Sequence, residues 1–142
     1  MDDPFRHHPA LRGRITDPLA SSFRAFRPAD FDARMAAMGR PDWRYSDAEI
    51  AADEAAFLRG HGPRDLWVFA YGSLMWDPAV WFAEVRMGRI EGYARRFCLN
   101  DPGARGTANA PGLMAALDEG AGCTGLVFRI EAALLAEELG YL

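Results

Sequence analysis

Leu66-Trp67-Val68-Phe69-Ala70-Tyr71-Gly72-Ser73-Leu74-Met75-Trp76 is where the texture of the chain changes, and its reading decides the fold. The first five residues form a short apolar run rich in β-formers, which reads as a strand. The run stops at Tyr71-Gly72-Ser73, where Gly72 permits a tight turn. Further strand patterns follow. Glu84 to Ile90 alternates imperfectly, and Tyr93 to Leu99 alternates better, with Tyr93, Arg95, Phe97 and Leu99 on one side. Leu113 to Leu117 and Cys123 to Ile130 are two more strands, separated by the turn-forming Asp118–Gly122. Glu131 to Leu142 reads as a helix, acidic in its first turn, with Leu134, Leu135 and Leu139 turned inward.

On the N-terminal side, Ser46-Asp47-Ala48-Glu49 is a capping box. It opens a helix over residues 46–60 with Ile50, Phe57 and Leu58 on one face. Gly60 or Gly62 ends it, and Pro63 prevents its continuation. A helix, closely spaced strands and a further helix indicate an α+β fold with a small β-barrel or a highly curved sheet. Residues 1–45 are rich in Pro, Arg and Asp, with scattered aromatics and one possible short helix near Asp30–Met38. They read as an extension, either draped on the domain or partly irregular. The expected division is therefore 1–45 as extension and 46–142 as domain, with strands from residue 66.

The bulk composition narrows the function. The chain has 142 residues and a formal net charge of −4, without the basic face that wrapping nucleic acid requires. All 16 basic residues are Arg, which reflects coding bias in a GC-rich, bacterial type of genome more than phosphate binding. No run approaches the ~20 apolar residues that span a bilayer. The first thirty residues are broken by Pro4, Pro9, Pro18 and Pro28 and lack the apolar core of a signal peptide. A cytoplasmic location is expected. Cys98 and Cys123 are far apart, with neither a disulfide framework nor metal-ligand spacing, and read as buried reduced thiols.

Two loops carry candidate chemistry. In Tyr71-Gly72-Ser73-Leu74 a strand ends in a Gly-Ser turn, which points backbone N–H groups outward and can form a nest for a carboxylate. Ser73 adds a hydroxyl and Tyr71 a polar tip. The bland alternative is an ordinary strand-ending turn. In Asn100–Thr107, Asp101 and Arg105 place a carboxylate and a guanidinium four residues apart. Arg105 can clasp a substrate carboxylate and Asp101 can accept from an ammonium, or the two can pair with each other. Arg95 and Arg96, adjacent on a strand, point to opposite faces and cannot form one clamp. His7, His8 and His61 are not placed to activate Ser73.

Taken together, these blocks resemble the ChaC-like, glutathione-specific γ-glutamylcyclotransferases. The segment Trp67–Trp76 is similar to the family's W-V-F-G-Y-G-S-L-x-W signature. Gly92–Phe97 is similar to its G-Y-x-R-R-F block, and Asp101, Arg105 and Gly106 to its loop of Asp, three residues and Arg-Gly. Pro111-Gly112, Gly122-Cys123 and Val127-Phe128-Arg129 continue the same order. The resemblance covers roughly residues 66–142. It implies the γ-glutamylcyclotransferase-like fold, a small β-barrel with flanking helices that is incomplete in this chain. It also implies a lyase that turns glutathione into 5-oxoproline and cysteinylglycine without a metal or organic cofactor. Carried over by position, Tyr71, Gly72, Ser73 and Leu74 form the γ-glutamyl-binding loop, and Asp101 with Arg105 help to hold the substrate. Two other readings stand beside it: a non-catalytic γ-glutamyl or carboxylate-binding module, and a cyclotransferase for other γ-glutamyl amines.

The sequence departs from the pattern at Ala70, where the family usually has Gly. The resemblance also puts the general-base Glu one or two helical turns past Leu142, so no catalytic residue is expected within the chain. Glu131, Glu137 and Glu138 match no motif position, and Glu137 and Glu138 are expected on the solvated side of the last helix.

Overall fold

The last strand, Cys123–Ile130, lies at the centre of the sheet that organises the molecule in a computed structural model describing residues 2–103 and 105–142. Ala104, inside the loop expected to carry Asp101 and Arg105, lies outside the described residues. Numbered in chain order, the strands are β1 (Leu66–Ala70), β2 (Glu84–Ile90), β3 (Tyr93–Asp101), β4 (Gly112–Glu119) and β5 (Cys123–Ile130). β5 pairs antiparallel with β1 on one side and β2 on the other. β3 and β4 pair with each other as a separate two-stranded hairpin. The five strands thus form two sheets, and the described residues do not close a barrel. The chain turns out of and back into the three-stranded sheet at Gly92 and Gly122, both at positive φ (80° and 152°), where a residue with a Cβ is disfavoured.

Register explains the core. Val68 and Val85 flank Phe128 from either side, and Ala70 and Met87 flank Leu126, so these side chains share one sheet face. Ile15, Ala70, Val85, Leu126 and Phe128 form one buried cluster, closed by Phe5, Leu11, Met75 and Phe82. A second cluster joins Val80, Ile130 and Leu135 with Leu58, Leu66, Val68 and Tyr141. Residues 1–45 contribute directly to this packing. Ile15 is buried in the first cluster, the Val85 N–H donates to Pro4 O at 3.1 Å, and the Thr16 N–H donates to Trp76 O at 2.7 Å. Arg6 and Arg86 ion-pair with the buried Glu84, which Arg129 and His7 also approach. Short helices punctuate the segment, α1 at Ser22–Ala25 and α2 at Asp32–Ala37.

The capping-box helix is α3, Asp47–His61. Ser46 accepts from the Glu49 N–H, and the Glu49 carboxylate accepts from the Ser46 N–H. Of its expected apolar face, Leu58 packs on the second cluster while Ile50 and Phe57 remain exposed. The C-terminal helix is shorter than its pattern suggests: α4 spans Leu135–Glu138, followed by a tighter turn over Leu139–Tyr141. Leu135 is buried and Leu134 exposed. Glu138 is not on a solvated side. It is 1 % exposed, because Arg24 from α1 reaches across to it (Nη1–Oε2 2.7 Å) and the Trp81 N–H donates to it at 2.9 Å. Long-range pairing overrode the local rule that acidic residues near a terminus face water. Cys123 is buried as expected, but Cys98 is exposed on the hairpin, which has no layer packed over it there. Among the described residues no helix is long and apolar enough to cross a membrane.

Candidate functional site

The site begins where β1 runs out. After Ala70, buried at the sheet end, the chain leaves the ladder and makes a single helical turn over Ser73–Met75. Its internal bonds start with the Met75 N–H donating to Gly72 O at 2.9 Å, followed by Trp76 and Asp77 N–H groups donating to Ser73 O at 3.0 Å. The N–H groups ahead of Met75 are those that such a turn leaves without an internal acceptor. Gly72 has φ −135°, so the turn does not require a left-handed residue there. Instead, nothing lies within 4 Å of the position its Cβ would take. The sequence reading assigned this glycine to turn geometry; what the fold gives it is open space.

That space belongs to a cleft of about 620 Å³ between the loop and the β3–β4 hairpin. Tyr71, Gly72, Ser73, Leu74, Met75 and Trp76 line one wall. Arg95, Phe97, Leu99, Arg105, Leu113, Met114 and Ala115 line the other. The hairpin wall owes its shape to a bulge. Phe97 pairs with Ala115 and Leu99 with Met114, leaving Cys98 as the extra residue. Among the described residues the lining carries two guanidinium groups and no carboxylate.

Five of the six residues singled out from sequence therefore meet in one place: Tyr71, Gly72, Ser73, Leu74 and Arg105. Asp101 is not among the described lining residues. Its carboxylate accepts from the Gly103 N–H at 2.9 Å and the Arg105 N–H at 3.0 Å, folding the loop that carries Arg105. Gly106 and Gly112 complete that fold by backbone contact. A Cβ on Gly106 would stand 2.1 Å from Gly112 N, and one on Gly112 would stand 2.1 Å from Arg105 O. Glycine at both positions lets the two ends of the loop touch.

Arg95, which from sequence is set aside together with Arg96, also lines the cleft. The two adjacent arginines do point apart. Arg96 turns to Asp118 and Glu119 on the far side, and Arg95 alone faces the cleft. Its Nη1 donates to Tyr71 O at 2.6 Å, tying the hairpin to the Tyr71–Leu74 loop. The signal was present in the alternation Tyr93, Arg95, Phe97, Leu99, but nothing local said which sheet face would look onto the loop.

A family model described as ChaC-like protein matches residues 66–142, more than half of the chain. The chain belongs to the ChaC-like family. It is 44 % identical over 101 residues to the glutathione-specific gamma-glutamylcyclotransferase of Escherichia coli K12, covering 69 % of this chain and 43 % of that protein. It is 37 % identical over 91 residues to the human glutathione-specific gamma-glutamylcyclotransferase 1, covering 62 % and 41 %. The chain thus spans less than half the length of these curated relatives. Among solved structures, the yeast gamma-glutamylcyclotransferase specific to glutathione superposes with a TM-score of 0.50 at 24 % identity, over 55 % of this chain and 46 % of that one. That likeness shows the fold, α+β and γ-glutamylcyclotransferase-like.

Proposed function

We propose that this chain carries the γ-glutamyl-binding part of a glutathione-specific γ-glutamylcyclotransferase, a cytosolic lyase that releases 5-oxoproline and cysteinylglycine. The observation that carries the reading is the cleft, in which the Tyr71–Leu74 loop and Arg105 face a common space. The names of the relatives supply the chemistry to be fitted to it.

In this reaction the α-amine nitrogen of the γ-glutamyl group attacks its own side-chain carbonyl carbon. The amide C–N bond then breaks, and the departing amine of cysteinylglycine takes up a proton. Because the nucleophile lies within the substrate, holding it in a folded conformation supplies a large part of the rate. The loop N–H groups ahead of Met75 suit the oxygen that becomes negative during attack. Arg105 clasps a carboxylate, and Asp101 holds the substrate indirectly, through the loop that it folds. The α-ammonium must lose a proton before it can attack. No carboxylate lines the cleft among the described residues, and Glu138 is engaged by Arg24. The family resemblance, and not the lining, is the ground for proposing a glutamate past Leu142 as the proton acceptor.

A cleft lined by no carboxylate among the described residues also suits a second reading, a module that binds γ-glutamyl compounds without turning them over. Measuring glutathione binding and 5-oxoproline release separates the two, using this chain and a form continued C-terminally. Binding by both and release by the longer form alone is the expected result. Binding without release in either selects the module. A chain that binds no γ-glutamyl compound overturns both readings.

A further inference from the structure

Given the glutathione reading, on which this rests, we infer that Arg95 is the subsite for the second carboxylate of the substrate, the one at its C-terminal glycine, and so selects γ-glutamyl peptides over γ-glutamyl amines. The argument begins with charge. Among the described residues the cleft lining includes two guanidinium groups, Arg95 and Arg105, and no carboxylate. A γ-glutamyl amine brings one carboxylate and one ammonium, with no net charge, and gives the second guanidinium nothing to meet. A γ-glutamyl peptide brings two carboxylates, and charge-assisted bonds to both satisfy both.

Placement supports the same assignment. Arg105 sits on the loop between β3 and β4, whereas Arg95 sits early in β3, so the two cations come from separate parts of the hairpin. Phe97, Leu99 and Met114 line the same cleft and give it an apolar stretch suited to the methylene and thiol of a central cysteine. Arg95 is also the better braced. With Nη1 committed to Tyr71 O at 2.6 Å, its planar guanidinium is pre-oriented, with other N–H donors available to a ligand. Arg96, which shares its charge but faces Asp118, serves as an internal control.

The test is binding of two probes, glutathione and glutathione amidated at its glycine, followed by quenching of Trp76 fluorescence or by calorimetry. The unmodified chain should prefer glutathione by about tenfold, the worth of one charge-assisted bond. Arg95→Gln should abolish that preference. Its shorter amide gives up the bond to Tyr71 O as well, but that loss weakens both probes alike and leaves the preference between them as the readout of the charge. Arg95→Lys should keep part of the preference, and Arg105→Gln should weaken both probes alike. Thermal melts confirm that each variant folds. If Arg95→Gln retains the tenfold preference while Arg105→Gln still loses binding, the subsite assignment is wrong and the glutathione reading stands. If the unmodified chain binds neither probe, the glutathione reading fails and takes this inference with it.

Discussion

Gly72 and Gly106 show how one missing Cβ can serve opposite purposes. At Gly72 no atom lies within 4 Å of where a Cβ would stand, and the residue lines the cleft. Gly72→Ala should therefore leave stability within about 0.5 kcal/mol of the parent while weakening glutathione binding severalfold. Parallel denaturant melts and titrations check this, and an unchanged affinity would mean that the ligand does not approach this wall. At Gly106 the Cβ would collide with backbone at 2.1 Å. Gly106→Ala must push the ends of the loop apart at a cost of about 1–3 kcal/mol, carrying Arg105 away from the cleft. Affinity and stability should fall together there, in contrast to Gly72.

Among the elements, α3 and α2 are joined by charge. Arg44 donates to Asp32, at the first position of α2, and to Asp47, at the first position of α3. Hydrogen bonds from Arg44 and then from the Trp43 indole bring the Asp32 carboxyl down from its ordinary value of 3.8 to about 2. The folded pKa lies below the unfolded one, so this stabilisation is present above pH 4 and is lost as pH falls towards 2. The melting difference between the parent and Asp32→Asn should be open at pH 5 and should close on approaching pH 2. A difference independent of pH would show that the pairing contributes through packing alone. At the start of α3, Ser46→Ala removes one half of the capping box and should cost about 1 kcal/mol. Urea midpoints of the two chains measure it.

Across the whole molecule, one buried ion pair fastens the two ends. Arg24 from the N-terminal segment bonds Glu138 near the C-terminus and lies 3.9 Å over the Tyr141 ring, while also donating to Ala79 O at 2.8 Å. Its hydrogen bond to Glu138 raises the Arg24 pKa. With Glu138 1 % exposed, Arg24→Met strands a carboxylate out of water and should cost about 3–5 kcal/mol. Glu138→Gln should cost less, since its amide oxygen can still accept from the Trp81 N–H. Equilibrium unfolding of the two variants tests the order, and a reversed ranking would place the main energy in the arginine's stacking on Tyr141.

Sequence by itself determined most of the elements and brought the candidate loops to notice, because these follow from local rules. The β1 run, the capping box, the β2 and β5 limits and the Asp101–Arg105 spacing are all set by neighbours within a few residues. Tertiary structure decided what those elements face. It put Glu138 under Arg24, drew Ile15 into the core, left Cys98 outside and turned Arg95 towards Tyr71. It also split the strands into a sheet and a hairpin with a cleft between them. The physical reason is range. Alternation says that two side chains share a strand face, but which face meets water, core or ligand depends on partners that lie 24 residues away for Arg95 and 114 for Arg24.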